Sequence, residues 1–137
     1  MTHWKFAALW LGMVACVQAH ATPPTRTPIA TIPIDPAKEV DRVEATRVDF
    51  LPGQIMPMHK HTVPVICFVT AGSFLVKIGD GRERPARVGD VTYEPANTVV
   101  NYFQNASATA PGQLMCALLA NKRDTVLNVM LDHPRAH

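Results

Sequence analysis

No stretch of this sequence stays apolar for the roughly 20 residues a membrane-crossing helix requires, and no block of like charge marks a tail or a binding face. Thirteen basic residues stand against eleven acidic ones, a formal net charge of +2. So even a balance leaves no electrostatic footprint for a phosphate backbone, which argues against nucleic acid as a partner. The segment Arg82-Glu83-Arg84 interleaves both signs, as a solvated face does. With only three cysteines, the chain is not a disulfide-dense scaffold. Also missing are a glycine-rich phosphate loop, a nucleophile elbow and closely spaced catalytic carboxylates. No long stretch has helical periodicity, and no segment repeats.

The N terminus has its own pattern. Lys5 precedes an apolar run from Phe6 to Val17, and Ala19-His20-Ala21 follows as a small-residue cleavage pattern. Residues 1–21 therefore read as a secretory signal, too short to span a membrane. This predicts a periplasmic or secreted protein cleaved near Ala19 or Ala21, with no transmembrane segment in the mature chain. Two other readings are a buried N-terminal helix and a lipoprotein processed at Cys16, although Met13 stands where leucine is usual. Lys5 is the only Lys, Arg, Asp or Glu removed, so the mature 116 residues carry twelve basic against eleven acidic groups, a balance of +1.

Residues 22–42 contain Pro23, Pro24, Pro28, Pro33 and Pro36, which forbids a helix and predicts an extended arm. Beyond it the chain reads as short strands separated by turn residues. Val43–Leu51 alternates and stops at Pro52-Gly53, and Ile55–His61 follows. Val65–Thr70 is β-branched and aromatic and closes at Ala71-Gly72. Ser73–Ile78 meets the turn Gly79-Asp80-Gly81, and Arg84–Val88 leads into Gly89-Asp90. Val91–Glu94, Thr98–Gln104 and Gln113–Ala120 complete the strands, with residues 121–137 as a tail holding His133 and His137, both expected to be exposed. This spacing indicates an antiparallel sandwich or barrel over residues 43–120.

His59 and His61 are separated by one residue, so on a strand both imidazoles share a face and make half of a metal site. Gly53, His59, His61 and Gly72, followed by Gly89, Asp90 and Pro95 with Asn105 one residue from its expected place, resemble the two motifs of the cupin family. The resemblance spans about residues 43–120. It implies an all-β fold, the cupin-type antiparallel β-barrel (double-stranded β-helix or jelly roll), and possible homodimers through sheet packing. It also implies a metal held by two histidines, a glutamate and a third histidine. Here Val65 stands in the glutamate's place and Val100 in the third histidine's. Asn97 replaces a turn glycine, a mild change because asparagine tolerates the left-handed conformation.

Two neutral nitrogens alone hold a divalent ion poorly. A Cys67 thiolate on the face of Val65 would complete a His59/His61/Cys67 set suited to zinc or copper. Cys67 and Cys116 are equally open to a disulfide, or to lying as two buried thiols. Tyr102 and Gln104 are expected to share a face with Val100, so Val65, Val100, Tyr102 and Gln104 form the expected ligand pocket. Phe68 and Phe103 are further apolar candidates. Glu94, with Tyr93 at the barrel mouth, is expected to face solvent. The favoured function is an exported protein binding a small organic ligand at a polar patch around His59 and His61. The alternative is a metal-dependent dioxygenase or isomerase using Zn, Fe, Mn, Ni or Cu on a non-standard ligand set. A third reading is a structural or partner-binding domain.

Overall fold

The computed structural model describes residues 23–131; the signal-like stretch, His133 and His137 lie outside them. Ten strands follow in chain order: β1 (Arg42–Phe50), β2 (Ile55–Met56), β3 (His59–His61), β4 (Val65–Ala71), β5 (Ser73–Ile78), β6 (Arg84–Arg87), β7 (Val91–Glu94), β8 (Val99–Asn105), β9 (Gly112–Ala120) and β10 (Asn128–Met130). They form two antiparallel sheets, one ordered β1-β9-β4-β7 and the other β10-β3-β8-β5-β6, with β2 also on β8. The fold is the all-β, cupin-type barrel that the sequence predicts. Among the described residues no helix is long and apolar enough to cross a membrane.

Period-two alternation selects the inward residues. Val65, Cys67 and Val69 of β4 are buried, as are Leu114 and Cys116 of β9. Phe74, Val76, Val100 and Phe103 come from the facing sheet. Each such valine or phenylalanine contributes roughly 1.5–3 kcal/mol of burial. Phe74 sits between Phe50 and Phe103, its ring centroid 5.1 and 5.3 Å from theirs, in edge-on contacts. That seat exists because residue 112 is glycine: a Cβ there would lie 2.6 Å from Phe74 Cζ.

Cys67 and Cys116 are directly paired across β4 and β9 and joined as a disulfide. The thiolate considered as a metal ligand is therefore absent. Its sulfur is bonded to its cross-strand neighbour.

Three local departures from simple alternation position the site. Pro57 has no N–H to give a ladder, so the expected strand Ile55–His61 is two pieces, β2 and β3. The register of β5 against β8 shifts between Lys77 and Ile78, where Lys77 pairs Tyr102 and Ile78 pairs Val100. Such a bulge reverses the parity of the side chains that follow. The tail also contributes a strand, because β10 pairs with β3, Asn128 opposite His61 and Met130 opposite His59.

The end of the proline-rich arm is tied down near β1. Lys38 Nζ donates to Asp124 Oδ2 at 2.7 Å, and Asn121 Nδ2 donates to the Glu39 carbonyl. Arg42 donates to the carbonyls of Asn121 and Asp124. At the other end of the barrel the buried Asn105 donates to the carbonyls of Leu51 and Ala110 and accepts from the N–H of Ser107. It is a structural pin that fastens two loops.

Candidate metal and ligand site in the barrel

β3 lies between β10 and β8, so both its edges are paired and its side chains are held firmly. Spacing by two turns His59 and His61 to one face, their ring centroids 5.0 Å apart. The turn after β7 holds this strand as well, since Asn97 N–H donates to the His61 carbonyl at 2.6 Å. Asn97 does this with φ of 61°, the left-handed conformation that its sequence position demands.

From the opposite sheet, β7 brings Glu94 inward. Its residue is 3% exposed, so the expectation of a solvent-facing carboxylate is corrected. In sequence, Thr92 and Glu94 alternate with Val91 and Tyr93, which shows that they share a face but not which one. The pairing of Glu94 with buried Val65 decides it. His59, His61 and Glu94 each offer one ligand atom, and these atoms all lie within 4.8 Å of one another.

The proton arrangement in this cluster follows from the main chain. His59 Nδ1 lies 2.7 Å from the Pro57 carbonyl and His61 Nδ1 lies 3.2 Å from the Leu127 carbonyl. A carbonyl only accepts, so each Nδ1 carries the hydrogen and donates. In the neutral ring that leaves Nε2 as a lone pair, the form in which a histidine binds metal. His61 Nε2 stands 3.0 Å from Glu94 Oε2. This approach lacks hydrogen-bond alignment, and Glu94 Oε2 has no hydrogen-bond partner among the described residues. With both rings neutral, two imidazole acceptors and a carboxyl oxygen converge without a donor between them.

One separation in this cluster matches the geometry of a divalent ion. Two adjacent ligands each about 2.1 Å from one ion and at right angles to each other stand about 3.0 Å apart, the spacing found between His61 and Glu94. A pair of histidines with one carboxylate is also a ligand set that leaves positions open for another molecule.

The cluster borders a cavity of about 230 Å³. Thr46 and Asn128, both exposed, stand at its rim. Val48, Phe50, Met56, Phe103, Leu114 and Leu118 make most of its apolar wall, and the disulfide completes it. Of the expected pocket residues, Val65 and Val100 are core, and neither they nor Tyr102 and Gln104 line this cavity. The bulge in β8 is the reason: three residues after Val100, it is Phe103 that points inward. Met56 lines the cavity because the break at Pro57 frees it from the parity of His59. Phe68 lies 41% exposed on the outer face of β4.

A family model described as Cupin domain matches residues 46–118, more than half of the chain. A comparison with curated proteins finds no match. Among solved structures, the chain is similar to DMSP lyase DddQ from Ruegeria pomeroyi DSS-3, with a TM-score of 0.56 and 19% identity over 66% of this chain and 43% of that one. An oxalate oxidase gives a TM-score of 0.53 and 26% identity over 57% of this chain and 42% of that one. A Klebsiella pneumoniae protein with a double-stranded β-helix domain gives 0.57 and 15% identity, covering 70% of this chain and 80% of that one. The chain spans less than half the length of the first two structures. The double sheet, the paired histidines on β3 and the match over residues 46–118 agree on one assignment: this chain belongs to the cupin domain family.

Proposed function

We propose that the barrel holds a divalent transition-metal ion on His59, His61 and Glu94 and binds a small organic molecule in the adjoining cavity. One observation carries this reading. Three acceptors, on the buried His59 and Glu94 and the half-buried His61, converge with no donor among them, an arrangement that calls for a cation. A bound ion would act as a Lewis acid on an oxygen of the ligand. The chain's own groups do the rest. The Pro57 and Leu127 carbonyls orient the imidazoles, Glu94 balances charge, and the apolar wall offers the water beside the site few hydrogen bonds. The neighbour named as an oxalate oxidase, 26% identical, supports an enzyme of this general kind. The work is done outside the cytoplasm, as the signal-like N terminus and the Cys67–Cys116 bridge support.

A metal-free reading rests on the 3.0 Å approach of His61 and Glu94. A protonated His61 would make that contact an ion pair, and the patch would then bind its ligand directly. Metal analysis separates the two. Tag-free protein, dialysed against zinc, iron(II) or manganese and then washed, should retain one ion per chain. The His59→Ala, His61→Ala double variant should retain none. Wild-type protein without metal, or a double variant that keeps it, would overturn the metal reading.

A further inference from the structure

The cavity's charge and wall restrict what it can accept. Among the described residues no lysine or arginine lines it, and Glu94 is the only carboxylate that does. With a divalent ion in place, one negative charge from Glu94 leaves a single positive charge to be neutralised. One anionic group on the ligand completes the balance. A second would sit against Val48, Phe50, Met56, Phe103, Leu114 and Leu118 with no cation to meet it, and an unpaired buried charge is strongly disfavoured. Thr46 and Asn128 at the rim are polar but uncharged. An apolar cavity of about 150 Å³ takes a benzene ring, so 230 Å³ gives room for a short chain or a single ring.

We infer that this cavity takes a singly charged acid whose oxygen-bearing head chelates the metal and whose small aliphatic or aromatic tail lies on the Phe50–Phe103–Leu118 wall. The inference rests on the metal reading above. The head meets His59, His61 and Glu94, while the tail displaces poorly held water from the apolar side. A dicarboxylic acid with the same head pairs its chelating end equally well and loses at the tail. An acid with no tail gains nothing from the wall.

The test uses the full chain loaded with cobalt(II), with metal content measured first. Calorimetric titration then compares α-ketoisocaproate, α-ketoglutarate and pyruvate, which share one chelating head. The expected result is that α-ketoisocaproate binds at least about tenfold tighter than either of the others, a difference of about 1.4 kcal/mol. A Thr46→Arg variant, altered at an exposed rim position, should move the preference toward α-ketoglutarate. If cobalt is not taken up, this inference falls together with the metal reading. If cobalt is bound but α-ketoglutarate binds as tightly as α-ketoisocaproate, or the Thr46→Arg variant leaves their ratio unchanged, this inference alone is overturned.

Discussion

Glu94 on β7 lies directly across from Val65 on β4, both buried on the inner face of one sheet. Position 65 is where the cupin pattern leads one to expect a glutamate, and valine occupies it. The carboxylate of this chain arises one strand away and reaches the same histidines.

Replacing Glu94 by glutamine removes the anion while keeping size and shape. Metal affinity should fall by at least about 10–100-fold, the loss that even an outer supporting partner produces. The melting temperature of the metal-free variant should not fall below wild type, because Glu94 Oε2 loses no hydrogen bond. Competition against a chelator of known affinity measures the first quantity and thermal melting the second. Undiminished metal affinity would remove Glu94 from the site.

The Cys67–Cys116 bridge closes a loop of 49 residues. In the chain-entropy account, a loop of that length stabilises the fold by about 4 kcal/mol. Reduction, or the Cys67→Ser, Cys116→Ser pair, should therefore lower the melting temperature by more than about 10 °C in a domain of this size. Thermal melts with and without a dithiol reductant give the comparison.

Gly72, in the turn between β4 and β5, has φ of +79°, and a Cβ there would meet Gly112 Cα at 3.0 Å and the Pro111 carbonyl at 3.1 Å. Both neighbours are backbone and yield little. Gly72→Ala should cost roughly 1–3 kcal/mol, from the left-handed conformation together with the crowding. Gly53 also has a positive φ but nothing within 4 Å, so Gly53→Ala should cost less. Parallel denaturant melts of the two variants would show the order.

Acid should loosen the junction between the arm and the loop at residues 121–124. The hydrogen bond from Lys38, with another from the Asn121 N–H, holds the Asp124 carboxyl below its ordinary range. A group depressed on folding adds stability above its unfolded value, near pH 4, and that stability is lost as pH falls through the folded value. Asp124→Asn should be less stable than wild type at neutral pH, and the gap should narrow below about pH 4. A gap that stays constant with pH would show that the carboxylate's charge is not involved.

The strands were legible because their signals are local. Turn glycines, Pro52-Gly53 and the β-branched run at Val65 mark boundaries that hold within a residue or two. The histidine pair was legible for the same reason, since a spacing of two on a strand fixes one face. Glu94 was not, because only the register between β7 and β4 tells which way it points. Tyr102 and Gln104 were misplaced for a related reason: an extra residue in β8 reverses parity, and nothing in Val99–Asn105 announces it. Residues 128–130 are too short and too mixed to reveal that they pair with β3.

The hydrogen bond from His61 to the Leu127 carbonyl spans 66 residues of sequence. Its acceptor is main chain, so no substitution at position 127, short of one that moves the backbone, takes it away. The same holds for Pro57 and His59. The lone pairs of this site are thus insulated from point mutation and exposed to slippage: a one-residue shift of β10 along β3 would re-aim the carbonyl and leave every ligand in place. Homologous chains could therefore exchange most of the residues around the two histidines and keep their chemistry, provided the length of chain between β9 and β10 preserves that alignment.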